Sequence, residues 1–138
     1  MNVTPTLAQA ARYTTRAYVP GRYDCADLAV DVQRDLFGRN ITLPCHPRRR
    51  AAQADAVAQQ RDAVSTRVEV TAGERPVTGC AVLMRASDGG WHIGTLFHDA
   101  SGQPWVLHAH SSSLGVLLQP LNELAPLGLT VEEYRTWN

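Results

Sequence analysis

The sequence lacks an excess of either charge: its 138 residues carry 13 basic and 13 acidic side chains, for a formal net charge of zero. Nucleic-acid binding draws much of its affinity from neutralising phosphates, so this balance argues against a nucleic-acid partner. The chain also lacks a run of about 18 apolar residues, so we expect no membrane insertion. Its N-terminus, MNVTPTLAQAARY, has no basic stretch followed by an apolar one, and we expect no signal peptide.

Cysteine is scarce, with residues only at positions 25, 45 and 80. An odd number of cysteines without a secretion signal favours free thiols over a disulfide framework. The sequence contains no Cys-x-x-Cys or His-Glu-x-x-His signature of a zinc site. Its length suffices for one core, and we predict a single domain over residues 1–138.

Helix-forming patterns fill the first half of the chain, and strand-forming patterns fill the second. We predict helices over 5–17, over 25–37 and from Pro47 through RRRAAQADAVAQQRDAV. After Val64 come short segments rich in β-branched and aromatic residues, which predict an antiparallel meander: TRVEV, CAVLMR, WHIGTLF, PWVLHAH and GVLLQP. A short helix near LNEL and an irregular tail follow. This order predicts an α+β domain with N-terminal helices packed on a central antiparallel sheet.

The second helix begins at a cysteine. On a helical wheel, Cys25 heads a stripe that contains Leu28, Ala29, Val32 and Leu36, so its thiol points toward whatever the helix packs upon. Unpaired backbone N–H groups in a first helical turn stabilise a thiolate. Asp24, which suits the N-cap, and Asp27 oppose that effect by charge. From this helix alone, a small buried core residue is the simpler interpretation, and a nucleophile would need an imidazole nearby.

Two adjacent segments, WHIGTLF and PWVLHAH, are joined by turn residues and predict a hairpin that carries histidines. If His98 opposes Gly102 at the tip, His92 lies directly across from His108, with roughly 5 Å between their Cβ atoms. His110 then lies one pleat further along, roughly 7 Å from His108. His98 is expected to be a solvated turn residue.

An opposed imidazole pair that faces a helix headed by cysteine supplies a nucleophile, a base and an orienting group. The thiolate would attack a carbonyl, and the first imidazole would handle the proton. The second group would fix the tautomer of the first, and N–H groups at the helix start, including that of Cys25, would hold the oxyanion. These residues predict a cysteine peptidase site.

The ordered set YDCADLAVDVQRDLFGRNITLP, CAVLMR, WHIGTLF and VLHAHSSSLGV resembles the NlpC-type cell-wall cysteine peptidases. The resemblance covers roughly residues 15–120 and is closest to the branch found with phage tails. It implies a papain-like fold and hydrolysis of amide bonds in peptidoglycan stem peptides, often next to D-glutamate. Together with this resemblance, the lack of an export signal predicts delivery in a phage tail or by a secretion machine, with tail or secretion components as partners. A cytoplasmic location is the alternative.

By the same resemblance Cys25 is the nucleophile, His92 the base and His108 the orienting residue, with no metal and no cofactor. Asp24 resembles a residue that meets a substrate amine, and Tyr18 resembles a tyrosine that lines the pocket. His110 is the alternative to His108 as the third catalytic residue and otherwise a substrate contact.

The chain departs from the family pattern at several positions near the proposed site. Asp27 replaces a small residue, and Cys80 stands where an aspartate is frequent. Thr95 and Leu96 stand where an aliphatic residue followed by tyrosine is common in the family. None of these departures replaces one of the three proposed catalytic residues. They bear on substrate preference, and the charge of Asp27 also bears on the Cys25 thiolate.

Two other functions fit the same residues. A zinc-binding module could use Cys25, His92, His108 and His110 as ligands, since sulfur and imidazole nitrogen are what zinc prefers. A phage-tail structural or interaction domain could keep the peptidase fold without turnover, because a fold does not fix a function.

Overall fold

A computed structural model describes residues 4–20, 22–41, 68–69, 76–87, 91–111 and 113–136. Within these ranges the chain forms two α-helices, α1 (Leu7–Ala11) and α2 (Cys25–Phe37), and one six-stranded sheet. The strands are β1 (Val68–Glu69), β2 (Ala81–Ala86), β3 (Trp91–His98), β4 (Pro104–Ser111), β5 (Gly115–Pro120) and β6 (Leu129–Thr136). Short 3₁₀ turns cover Arg12–Thr15, Leu121–Glu123 and Ala125–Leu127. This mixture of helix and antiparallel sheet confirms the α+β class.

Helix α2 begins and ends as its sequence predicts. The Asp24 carboxylate accepts hydrogen bonds from the backbone N–H groups of Ala26 and Asp27, and the Asp27 carboxylate accepts one from Asp24 N. This reciprocal capping box satisfies donors that the first turn would otherwise leave unpaired. Gly38 ends the helix with a φ of 66°, a conformation that favours glycine.

The first predicted helix is shorter than its composition suggested. Regular α-helix ends at Ala11, and the chain tightens into the 3₁₀ turn Arg12–Thr15, where Thr14 and Thr15 bond back to carbonyls three residues earlier. The helix predicted from Pro47 lies outside the described residues. No helix within the described ranges is long and apolar enough to cross a membrane.

The sheet has the strand order β1-β6-β2-β3-β4-β5. The meander prediction is correct for β2 to β5, whereas the tail predicted to be irregular forms β6 and pairs with both β1 and β2. A bulge explains why β6 escaped prediction: Leu83 pairs with Glu133 and Met84 with Val131, so one extra residue interrupts the alternation. Leu129, Val131 and Tyr134 therefore reach one apolar cluster despite their uneven spacing.

Apolar side chains cover both faces of the sheet. On one face, α2 packs against two clusters formed with β2, β3, β4 and β5. Their buried sheet residues are Ala81, Leu83, Ile93, Phe97, Leu107, Ala109 and Val116. On the other face, Val82, Met84, Leu96 and Val106 pack with apolar side chains of the segment after β5 and of strand β6. Two covered faces make the central strands rigid supports for any side chain that they carry.

Gly94 allows β4 to lie close against β3. A Cβ atom at this position would come within 2.6 Å of Val106 Cγ1 and 3.0 Å of the Leu107 carbonyl oxygen. Only a residue without a side chain permits this approach.

Candidate active site

The histidine hairpin forms, but in a different register from the predicted one. His98 pairs with Pro104, and pairing continues from there to Thr95 and Leu107. The shift amounts to two residues, so the predicted side-chain faces are retained. His92 consequently meets His108 diagonally and not directly across.

The turn explains the register. The Asp99 carboxylate accepts hydrogen bonds from Ser101 N, Ser101 Oγ and Gln103 N, and its second oxygen accepts one from Trp105 Nε1. These bonds lower the pKa of Asp99 to about 2 and build a longer tip than the predicted one. The tip therefore excludes His98, which ends β3 half-buried with its Nδ1 2.7 Å from Thr78 Oγ1. The expectation that His98 is a solvated turn residue is wrong.

Three imidazoles gather at the other end of the hairpin. His92 Nε2 lies 2.8 Å from His108 Nδ1, and their ring centroids are 5.0 Å apart at an interplanar angle of 87°. His110 lies further out, with ring centroids 6.3 Å from His92 and 5.9 Å from His108. Its Nδ1 contacts the hydroxyl of Ser111 at 3.1 Å. Of the two alternatives for an orienting residue, His108 is therefore the one hydrogen-bonded to His92.

Burial keeps the imidazole rings of His92 and His108 neutral. His108 is fully buried and His92 is 8% exposed. Desolvation, reinforced by the neighbouring imidazoles, lowers the pKa of His92 well below its usual 6.5. Desolvation likewise lowers the pKa of His108 to about 4, although its bond to Gln119 acts in the opposite direction. Both rings are thus uncharged at neutral pH, the state that a general base requires.

The lowered pKa values of His92 and His108 make the free energy of unfolding depend on pH. A histidine whose pKa is lower in the folded protein stabilises it fully above the unfolded value of about 6.5, and that stability is lost as the pH falls toward the folded value. For His108 alone, we expect a loss of about 3 kcal/mol between pH 7 and pH 4. Urea unfolding at several pH values should show His108→Gln losing less stability over this range than the wild type. Parallel curves for the wild type and His108→Gln would contradict the assignment.

Cys25 begins α2, is partly exposed, and packs beside the apolar cluster that contains Ile93 of β3. Because strand side chains alternate, Ile93 and His92 project from opposite faces of the sheet. The expectation that the imidazole pair faces the body of α2 is therefore wrong, since Ile93 and Phe97 occupy that face. A contact between the Cys25 sulfur and His92 stays a prediction, and it requires the sulfur to reach around the end of β3.

The residues assigned to substrate lie on separate elements. Asp24 is the N-cap of α2, where its carboxylate binds the N–H groups of Ala26 and Asp27. Tyr18 is half-buried and packs against the apolar cluster between α2 and the sheet. His110 is half-buried at the outer side of the histidine cluster. Substrate contacts for all three residues remain predictions.

Gln119 belongs to the cluster and was not foreseen from the sequence. Its Oε1 lies 2.8 Å from His108 Nε2, so it continues the chain that starts at His92. In GVLLQP, alternation separates Val116 and Leu118 from Leu117 and Gln119, and a polar residue at the end of an apolar strand was the available signal.

The zinc alternative finds no support in the arrangement of these groups. Among the described residues, no set of three or more His, Cys, Asp or Glu side chains is placed to hold a metal ion. Both ring nitrogens of His108 already have hydrogen-bond partners, His92 and Gln119, which would compete with a metal.

The comparisons with known proteins add no family assignment. No protein-family model matches the chain, and no curated protein matches it.

Proposed function

We propose that this protein is an NlpC-type cysteine peptidase of papain-like fold that hydrolyses amide bonds in peptidoglycan stem peptides. The observation that carries the proposal is the buried, neutral, hydrogen-bonded pair His92–His108 on strands next to a helix that begins at Cys25. An imidazole that a second group holds in place can activate a thiol that comes within hydrogen-bond reach of it, which is the role we propose for His92 toward Cys25. The family resemblance supports the cell-wall substrate and delivery through a phage tail or a secretion machine.

The proposed reaction uses the ring nitrogen that His108 leaves open. Because His92 Nε2 is engaged by His108, its Nδ1 is the atom that takes the proton from the Cys25 thiol. The thiolate then attacks the amide carbon to form a tetrahedral oxyanion. When the oxyanion collapses, the C–N bond breaks and the imidazolium of His92 protonates the leaving amine, which leaves a thioester on Cys25. Water, deprotonated by His92, hydrolyses the thioester and releases the carboxylate.

The helix start supplies the oxyanion site in this scheme. We propose that the backbone N–H of Cys25 holds the oxyanion, because it belongs to the same helix start as the attacking sulfur. The positive end of the α2 dipole favours both the thiolate and the oxyanion. We propose that Asp24, at the same helix end, meets a cationic amine of a stem peptide, as the family resemblance implies.

The test is digestion of purified peptidoglycan followed by mass spectrometry of the released peptides. We expect wild-type protein to release stem-peptide fragments with new amino termini, to be inactivated by iodoacetamide and to be unaffected by a metal chelator. Inactivation by the chelator would favour the zinc alternative. Folded protein that leaves the peptidoglycan intact would favour a structural tail domain and would reject the proposal.

A further inference from the structure

The chain of hydrogen bonds through the two histidines ends at a side-chain carbonyl. His92 Nε2 meets His108 Nδ1 at 2.8 Å, and His108 Nε2 meets Gln119 Oε1 at 2.8 Å. Gln119 lies on β5 opposite Val106 of β4, so it projects from the same sheet face as His108. Three neighbouring strands thus contribute one residue each to a continuous row.

The Gln119 carbonyl determines which atom donates and which accepts in each hydrogen bond of this chain. A carbonyl oxygen only accepts hydrogen bonds, so His108 must carry its hydrogen on Nε2. A neutral imidazole has one N–H, which makes His108 Nδ1 an acceptor, and His92 must therefore carry its hydrogen on Nε2. The lone pair of His92 is then on Nδ1. The depressed pKa of both rings is consistent with one hydrogen on each.

We propose that Gln119 is a positioning residue that fixes the tautomers of His108 and His92, so that His92 presents the lone pair of Nδ1 as the base. The part that concerns catalysis rests on the proposed function. Gln119 acts through His108 and needs no contact with substrate. When His92 takes a proton on Nδ1, its Nε2–H still donates to His108, and the row needs no rearrangement.

The strand neighbours that the structure describes beside the two rings offer no other acceptor for His108 Nε2. Met84 lies opposite His92 on β2, and Leu117 lies opposite His108 on β5, and neither side chain carries nitrogen or oxygen. Among the described residues, His110 is a third imidazole at this cluster; its centroid lies 5.9 Å from that of His108, and its Nδ1 contacts Ser111. Without the Gln119 carbonyl, His108 is free to carry its hydrogen on Nδ1. That hydrogen would point at His92 Nε2 and force the hydrogen of His92 onto Nδ1, where it blocks the base.

The direct test is nitrogen-15 NMR of the imidazole rings, which distinguishes the two tautomers of each histidine without substrate. In the wild type we expect both His92 and His108 to carry hydrogen on Nε2. Gln119→Leu should shift His108 toward the Nδ1–H tautomer, whereas Gln119→Glu should keep the wild-type tautomers and raise the pKa of His108. Gln103→Leu makes the same change in an exposed turn and should leave the spectrum unchanged. A wild-type His92 with hydrogen on Nδ1, or Gln119→Leu with wild-type tautomers, would overturn the proposal.

Kinetics give a second, separable result. Removing the correct tautomer of a general base should lower kcat of Gln119→Leu by about 10²-fold with KM changed by less than about twofold. Gln119→Glu should recover most of kcat and move the acid limb of the pH profile upward. Active Gln119→Leu with unchanged kcat would overturn the positioning role while leaving the peptidase intact. If the wild type shows the predicted tautomers but cleaves no peptidoglycan, the tautomer assignment is upheld and the peptidase proposal is rejected.

Discussion

Replacement of Cys25 by alanine is expected to reduce peptidoglycan hydrolysis by at least about 10³-fold, because the proposed thioester forms on the Cys25 sulfur. Cys25→Ser should lose nearly as much, since a hydroxyl holds its proton far more tightly than a thiol. Alanine is favourable in a helix, and the α2 cap depends on Asp24 and Asp27 rather than on the thiol, so both variants should fold normally. The measurement is the rate of fragment release by mass spectrometry, with circular dichroism to verify folding.

Cys80 provides a matched control within the same chain. It is 1% exposed, and burial raises the pKa of its thiol to about 12. Iodoacetamide at neutral pH should therefore modify the peptide that contains Cys25 and spare the one that contains Cys80. Cys80→Ala should retain hydrolysis. Full hydrolysis by Cys25→Ala, or loss of hydrolysis in Cys80→Ala alone, would remove the case for Cys25 as the nucleophile.

His92→Ala is expected to lower kcat/KM by about 10²- to 10⁴-fold, the range that a general base contributes. It should also slow alkylation of Cys25 at neutral pH, because an imidazole that accepts the thiol proton promotes thiolate formation. The rate of alkylation against pH measures this effect directly and needs no substrate. An unchanged alkylation profile would show that the Cys25 sulfur does not contact His92. The predicted contact past the end of β3 would then be wrong.

The two outer histidines should differ in the same assay. His108 bonds to His92, so His108→Ala should lower kcat by more than His110→Ala, whose ring is further from His92. His98→Ala serves as the control, because His98 is bound to Thr78 at the opposite end of β3. A larger loss for His110→Ala than for His108→Ala would assign the orienting role to His110.

The parts of the fold that local chemistry determines could be predicted from the sequence. The limits of α2 follow from Asp24 and Gly38, which act within a few residues of themselves. The faces of β3 and β4 follow from alternation alone. The hairpin register could not be predicted, because it depends on how many hydrogen bonds the Asp99 carboxylate collects in the turn. Strand β6 was missed because its bulge breaks the alternation on which strand prediction relies.

The candidate site also has features that the sequence could predict and features that it could not. The proximity of His92 and His108 survived the wrong register, since a shift of two residues keeps both rings on one face and long side chains reach a diagonal neighbour. The side of the sheet on which α2 packs could not be deduced, because either face of β3 offers apolar residues. Gln119 was missed because its role depends on which strand lies beside β4, and that is a property of the assembled sheet.

The position of β6 affects how the chain can fold during synthesis. Strands β2 to β5 follow one another along the chain and can pair as each emerges from the ribosome. Strand β6 is made last of the six, yet it lies between β1 and β2, so both of its neighbours must wait for it. Until residues 129–136 arrive, β2 exposes an unpaired edge that invites association with other chains. Closure of the sheet through these distant pairings should be the slow step of folding, and deletion of this strand should give aggregation instead of a smaller soluble domain.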